Sequence, residues 1–280
     1  MNFYRSEPDE GVSLAKISFR GICRLSIVPV RASDSDKSEL VTQLLFGDHY
    51  TVLEESETAK WLKIKIQYDS YEGWIDQKQH SQISEDYFYQ INNLDYKIST
   101  EICSSILYKQ HYVQVVLGSI LPIASNELFR MEEQLNFKGT SKSLWEKKGF
   151  KFLKDIAIQY INAPYLWGGK TPFGIDCSGF TQQVYKICGY KLPRDAYQQA
   201  LVGKIVADLE EAAPGDLAFF TNTQGRVYHV GIILEEKKII HSSGKVKIDK
   251  IDENGIFDLE KNYYSHQLSS IRRIFNKTVQ

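Results

Sequence analysis

Cys177 stands in Asp176-Cys177-Ser178-Gly179-Phe180, and two histidines follow it, His229 in Val-Tyr-His-Val-Gly and His241 in Ile-Ile-His-Ser-Ser. A thiol attacks a carbonyl carbon well only as thiolate, so it needs a base nearby and an electropositive setting. These residue types suit acyl transfer, with Cys177 as nucleophile, His229 as base and His241 orienting the base. Phe180, Val184, Tyr185 and Cys188 recur at helical spacing with few breakers between them, so Cys177 is expected to open a helix. There the unpaired backbone amides and the helix dipole favour a thiolate. His229 and His241 sit in strand-like runs. Two adjacent antiparallel strands would set the imidazoles side by side, one facing the thiol and the other fixing its tautomer.

The elements that must position these groups fall into three stretches. From Leu14 to Ser84 the chain reads as short strands: Ala15-Lys-Ile-Ser-Phe, Cys23-Arg-Leu-Ser-Ile-Val, Tyr50-Thr-Val-Leu, Trp61-Leu-Lys-Ile-Lys-Ile and Gly73-Trp-Ile-Asp. Gly47-Asp48 and Asp69-Ser70 supply turns, and the pattern suggests a small, partly closed β-barrel. From Tyr89 to Gly139, Ser104-Ser-Ile-Leu-Tyr, Tyr112-Val-Gln-Val-Val and Leu128-Phe-Arg-Met read as a second small β module. Leu117-Gly-Ser-Ile-Leu-Pro turns the chain between them. Leu144, Trp145, Phe152, Ile156, Ala157 and Tyr160 then recur at helical spacing, giving an amphipathic helix that ends near Asn162-Ala-Pro. After the Cys177 helix come strands at Asp216-Leu-Ala-Phe-Phe, Val227 to Leu234, Lys238 to His241, Val246-Lys-Ile-Asp and Ile271-Arg-Arg-Ile. Helices followed by strands is an α+β order, the papain-like placement of a thiol on a helix and its base on a sheet. The expected domains are residues 1–86, 87–142 and 143–280.

Composition narrows the class. At 280 residues the chain is too long for one small domain, and 42% hydrophobic with 25% charged residues is the balance of a globular protein. A net charge of −1 without a basic run speaks against nucleic acid or a membrane surface as partner. The N-terminus lacks an apolar core and a small-residue cleavage site. The longest apolar stretch, Val115 to Ala124, is short and holds a Gly and a Pro. The expectation is therefore a cytoplasmic protein. Four cysteines without a CxxC pair disfavour a disulfide scaffold or structural zinc. Cys23, Cys103 and Cys188 read as small buried hydrophobes. His49, His80, His111 and His266 show no ligand spacing and read as structural or surface residues. No metal or nucleotide motif is present, and no cofactor is expected.

Residues 164–180, Pro-Tyr-Leu-Trp-Gly-Gly-Lys-Thr-Pro-Phe-Gly-Ile-Asp-Cys-Ser-Gly-Phe, strongly resemble the NlpC family of papain-like cell-wall peptidases. Leu192-Pro-Arg-Asp-Ala, Pro214-Gly-Asp-Leu and Tyr228-His-Val-Gly add to the likeness. Within the family the chain looks like the dipeptidyl-peptidase branch, in which SH3-like domains precede the catalytic one. Glu39, Gln43-Leu-Leu-Phe-Gly-Asp and Tyr71-Glu-Gly-Trp-Ile-Asp carry that part of the likeness. The resemblance implies a papain-like NlpC domain of helices packed on an antiparallel sheet, preceded by one or two small SH3-like β-barrels. It implies hydrolysis of the bond between D-γ-glutamyl and L-lysine or meso-diaminopimelate in murein peptides with a free N-terminal L-alanine. Cys177 then matches the nucleophile, His229 the base, His241 the orienting residue, and Tyr165 a tyrosine near the oxyanion. Asp195 matches the acid that holds the substrate's α-ammonium, with Glu39 and Tyr71 from the first β module as partners. The branch often carries a hydroxyl residue where this chain has Ala196. Trp167 and Ser178 look like further substrate contacts, and Asp176 is expected to brace the site.

Plainer roles stand beside these. Asp195 after Leu-Pro-Arg could cap the next helix, Trp167 and Tyr165 could be core aromatics, and Glu39 and Tyr71 could be ordinary barrel residues. Two other functions remain open: a murein-peptide-binding protein that uses its SH3-like modules, and a papain-like amidase or acyltransferase acting on another substrate.

Overall fold

Trp61–Ile66 buries Leu62, Ile64 and Ile66 on one face and turns Lys63 and Lys65 outward, the alternation of a half-buried strand. The computed structural model describes residues 19–121 and 135–275. In it, Trp61–Ile66 lies within a seven-stranded antiparallel sheet. The order is Leu40–Leu45, Ile27–Arg31, Glu72–Asp76, Trp61–Ile66, His49–Glu55, Phe19–Ile22 and Gln82–Ile83. Val28, Val30, Leu44, Tyr50, Val52, Leu62, Ile64 and Ile75 fill its interior. Two expected strands differ here. Cys23–Ser26 is a loop, because Cys23 exchanges backbone hydrogen bonds with the Gly47–Asp48 turn instead of joining a ladder, and the strand begins at Ile27. Residues 15–18 of the first expected strand lie outside the described residues.

A helix at Glu85–Asn93 follows the sheet and was not among the expected elements. The Ser84 side chain caps it by accepting from Tyr87 N, Glu85 and Asp86 favour its positive end, and Tyr87, Phe88 and Ile91 form its buried face. Two three-stranded sheets come next, ordered His111–Val116, Cys103–Tyr108, Leu135–Lys138 and Ile120–Leu121, Lys97–Ser99, Ser141–Ser143. The expected boundaries after residues 86 and 142 therefore each fall inside an element. The expected strand Leu128–Met131 lies outside the described residues. Cys103 is exposed, contrary to its reading as a buried hydrophobe, because Ser104 and Ile106 take the inner face of that strand.

The amphipathic helix spans Phe150–Ile158 with Gly149 as N-cap, shorter than its sequence pattern. Leu144 N donates to Tyr96 O and Lys148 N to Cys188 O, which keeps the preceding residues out of the helix. Cys177–Ile187 is a helix buried on every side. It packs on Phe150–Ile158 and on two strands of a second antiparallel sheet. That sheet runs Lys204–Val206, Tyr263–Arg273, Leu217–Thr221, Val227–Leu234, Lys238–Ser243, Lys245–Asp252, Gly255–Asp258. The eleven-residue strand Tyr263–Arg273 also pairs with Gly255–Asp258, which closes the sheet on itself.

Polar contacts fasten the first sheet to this second unit. Asp48 is buried with Lys186 Nζ 3.0 Å and Lys170 Nζ 3.9 Å from its carboxylate. Gln43 Oε1 accepts from Lys170 N, Thr42 Oγ1 from Arg194 Nε, and Asp69 Oδ2 from Gln182 Nε2. Gly168, at φ +76°, lies so near the first sheet that a Cβ would come within 2.3 Å of Leu40 O. Against the cost of burial, Lys186 and Lys170 hold the Asp48 carboxyl below its ordinary value. Its stabilising charge is thus present above the unfolded-state pKa and fades as pH falls through the lower folded value. Asp48→Ala would leave two buried ammonium groups without their carboxylate, and is expected to destabilise the protein by about 3–5 kcal/mol. Urea unfolding followed by circular dichroism at neutral pH measures this, and an unchanged midpoint would deny the seam its role.

Candidate active site

The site is built from the start of the Cys177 helix. Asp176 is its N-cap in extended backbone conformation, and its Oδ1 accepts from Gly179 N at 2.6 Å. Its Oδ2 accepts from Gly168 N at 2.8 Å, so one carboxylate fastens the Trp167–Gly168 turn to the helix. Arg194 is buried against it in a two-pronged pair, Nη1 to Oδ1 at 3.0 Å and Nη2 to Oδ2 at 2.6 Å. Asp176 thus ties the start of the helix, the Gly168 turn and Arg194 to one carboxylate. The Ser178 hydroxyl is engaged in the same cluster, accepting from Arg194 Nη1 and donating to Asp176 Oδ1.

Cys177 follows directly, its Sγ 3.9 Å from the carbonyl oxygen of Tyr228, the residue before His229. His229 on Val227–Leu234 and His241 on Lys238–Ser243 occupy adjacent antiparallel strands with Gly231 opposite His241, which makes the two histidines diagonal neighbours. His229 Nε2 lies 2.9 Å from His241 Nδ1, so Nδ1 of His229 is the ring nitrogen left for the thiol. His241 is fully buried, and its Nε2 lies 3.1 Å from Asp249 Oδ2. His266, read from the sequence as a structural or surface residue, stacks on His229 with centroids 4.1 Å apart at 25° and joins the lining of the cleft. The pairing of its strand Tyr263–Arg273 with Leu217–Thr221, next to the strand of His229, brings it there.

Burial, with His241 and His266 adding to it, lowers the His229 pKa well below the ordinary histidine value. Burial and the neighbouring Asp176 carboxylate push the Cys177 thiol up to about 12. Both shifts favour the uncharged forms, thiol and imidazole. The helix terminus alone suggested a thiolate, but desolvation of a small anion outweighs that dipole here.

Above Cys177 opens a cleft of about 550 Å³. Every proposed site residue lines it except His241, which lies behind His229. Trp167 donates from Nε1 to Glu39 Oε1 at 2.5 Å, and Tyr71 donates from its hydroxyl to Asp195 Oδ1 at 3.3 Å. Glu39 and Tyr71 therefore reach the cleft from the first β-sheet unit. Asp195 also stands at the N-cap of the short helix Ala196–Gln199, its N donating to Gln198 Oε1, so a capping position and a place in the cleft wall meet in one residue. Burial raises its pKa above the ordinary aspartate value. Ala196 contributes a methyl group to the wall. The backbone of Tyr165 is tied to Gly244, N to O at 2.9 Å, and burial raises its phenol pKa, which keeps it a hydrogen-bond donor.

Arg194, Tyr228, His266 and Asp249 belong to this site and had not been singled out. Arg194 stood inside the Leu-Pro-Arg-Asp-Ala motif, and that position was the readable signal. Asp249 required strand register, since it faces His241 only because His241 pairs with Lys247, two residues away. Among the described residues, no cluster of three or more His, Cys, Asp or Glu is arranged to hold a metal ion.

Residues 162–273 match the NlpC/P60 family, and residues 30–79 match the bacterial dipeptidyl-peptidase SH3 domain. The gamma-D-glutamyl-L-lysine dipeptidyl-peptidase of Bacillus subtilis is 29% identical over 255 residues, 84% of this chain and 81% of its own length. A probable endopeptidase of Haemophilus influenzae is 34% identical over 132 residues, 46% of this chain and 80% of its own length. The crystal structure of an NlpC/P60 family protein from Bacillus cereus superposes with a TM-score of 0.76 at 22% identity, covering 91% of this chain and 99% of that one, and so shares the fold.

A base that must be neutral, with a depressed pKa, stays competent into acid. The acid limb of a kcat/KM–pH profile is therefore expected below the ordinary histidine value of 6.5, with activity flat through that pH. A limb centred at or above 6.5 would mean that His229 is not held neutral by burial.

Proposed function

The chain belongs to the NlpC/P60 family of peptidases, and from that premise we propose a cysteine peptidase cutting the γ-D-glutamyl–diamino acid bond of murein peptides with a free N-terminal L-alanine. The observation that carries the proposal is the pair Tyr71–Asp195, with Glu39 beside it, in the same cleft as Cys177. A partly buried carboxylate presented to a cleft suits an ammonium group. Supplying part of that pocket from a separate β unit suits a substrate that ends there.

The shared cleft of Cys177, His229 and Tyr165 supports the following course of reaction. Cys177 Sγ attacks the γ-carbonyl carbon while His229 Nδ1 takes the thiol proton. The oxyanion meets the Cys177 backbone amide at the helix N-terminus and the Tyr165 hydroxyl. Collapse breaks the C–N bond, and His229 returns the proton to the departing amine of the diamino acid. Water, deprotonated by His229, then hydrolyses the thioester, releases L-Ala-D-Glu and restores the thiol.

A peptide with a free L-alanine amine is a released fragment, so we assign the reaction to the recycling of wall peptides in the cytoplasm. Finding the full-length protein outside the cell membrane on fractionation would overturn that assignment.

Mass spectrometry of L-Ala-γ-D-Glu-L-Lys and its diaminopimelate counterpart tests the activity. Release of L-Ala-D-Glu by the wild type and not by Cys177→Ala is expected, with Tyr165→Phe slower by about 100-fold in kcat. N-acetylation of the alanine is expected to raise KM sharply, and equal cleavage of the acetylated peptide would refute the ammonium pocket. Absence of cleavage of either peptide would favour a binding role or another acyl substrate.

A further inference from the structure

Behind His241 the hydrogen-bond chain continues. Asp249 is buried on Lys245–Asp252, two residues from the residue that pairs with His241, and so shares its face of the sheet. Its Oδ2 lies 3.1 Å from His241 Nε2 and its Oδ1 accepts from Leu259 N at 3.0 Å. Lys247 Nζ lies 3.0 Å from Asp249 Oδ2 and 2.7 Å from Asp258 Oδ2. One ammonium faces two carboxylates, so the cluster behind His241 keeps a net charge of −1. The other titratable rings against His241 are His229 and His266.

We propose that Asp249 is a positioning residue of the catalytic machinery, a fourth member that sets the tautomers of both His241 and His229. An ionised carboxylate can only accept, so the proton of His241 resides on Nε2. A neutral His241 then offers a lone pair at Nδ1, and the hydrogen bond at 2.9 Å must be donated by His229 Nε2. The lone pair of His229 is thereby confined to Nδ1, the nitrogen left for the Cys177 thiol. Without Asp249, no other described residue is bonded to His241 Nε2 to compel that order. His241 could hold its proton on Nδ1, and His229 would then carry its own on the nitrogen that must act as base. The carboxylate acts again when His229 becomes imidazolium. A neutral histidine alone stabilises that charge only through its dipole, whereas a net-negative cluster two hydrogen bonds away adds a Coulombic attraction in a buried setting. Asp249 Oδ2, the two ends of His241 and Nε2 of His229 form one line, and the thiol proton enters at its far end.

The inference rests on the thiol–imidazole reading of the site, and two of its readouts require no peptide turnover. Asp249→Asn keeps the shape and removes the charge, and Asp249→Ala removes both. Each is expected to lower kcat for L-Ala-γ-D-Glu-L-Lys by roughly 10- to 100-fold with KM changed less than threefold. The acid limb of the profile should move to lower pH, because the imidazolium loses its stabilising carboxylate. Alkylation of Cys177 by iodoacetamide, followed by peptide mapping, should slow by a similar factor at pH 7. Long-range ¹H–¹⁵N spectra of histidine-labelled protein should place the His229 proton on Nε2 in the wild type and on a mixture of both nitrogens in the variants. If the wild type does not cut the peptide, the substrate assignment fails while alkylation and tautomer still test Asp249. Unchanged tautomers together with an unchanged pH limb, whatever happens to kcat, would reduce Asp249 to a structural residue and overturn the proposal.

Discussion

The buried carboxylate of Asp176 is the constraint on which the site depends. It caps the Cys177 helix, receives the Gly168 amide and pairs with Arg194, whose Nε continues to Thr42 in the first β-sheet unit. The turn carrying Trp167, the thiol, the Arg194–Asp195 segment and the first unit are thus held to one point. Removing one partner of such a buried pair costs about 3–5 kcal/mol, because the other is left charged and dry. A neutral pair of equal volume could match it in stability. It would not match it in geometry, since the fork of Arg194 fixes both carboxylate oxygens and through them the direction in which the helix starts.

The first β unit is part of the cleft and not a tether for it. Glu39 and Tyr71 line the cleft, Gly168 admits the Leu40 backbone at a distance no side chain would tolerate, and Asp48 neutralises two lysines of the catalytic unit. Contacts of this kind fix an interface more strictly than an apolar one would, because each polar group loses water and must find its stated partner. A cleft assembled across such a seam keeps its width, and under the proposed function the separation of Asp195 from Cys177 serves as a ruler for the substrate.

Much of this was legible in local sequence. The helix starting at Cys177 follows from the spacing of Phe180, Val184 and Tyr185, and the strands of His229 and His241 follow from their β-branched runs. The helix Glu85–Asn93 was also written locally, in a Ser84 cap, two acids in the first turn and buried residues one turn apart, but its aromatic content resembled strand. Gly149 marks the start of Phe150–Ile158, whereas the apolar spacing of Leu144 and Trp145 extended the pattern into residues tied elsewhere. What local reading could not reach is register. Asp249 faces His241, and His266 covers His229, only through ladder pairings and a bulge at Phe219–Phe220 in the partner strand. A shift of one residue would turn each of them to the other face.

The electrostatics of the site point to activation on binding. Burial, with Asp176 adding to it, raises the Cys177 thiol pKa, and burial with two neighbouring rings lowers that of His229. An ion pair formed before substrate arrives would bear the desolvation cost of both charges with little to offset it. In the proposed mechanism, once a carbonyl carbon is in contact with Sγ, the negative charge is passed on to an oxygen that faces the helix amides. The positive charge forms on His229, at the head of a hydrogen-bonded line through His241 to Asp249. Charge separation and bond formation then proceed together, so the same burial that raises the thiol pKa strengthens the electrostatic interactions that stabilise the transition state.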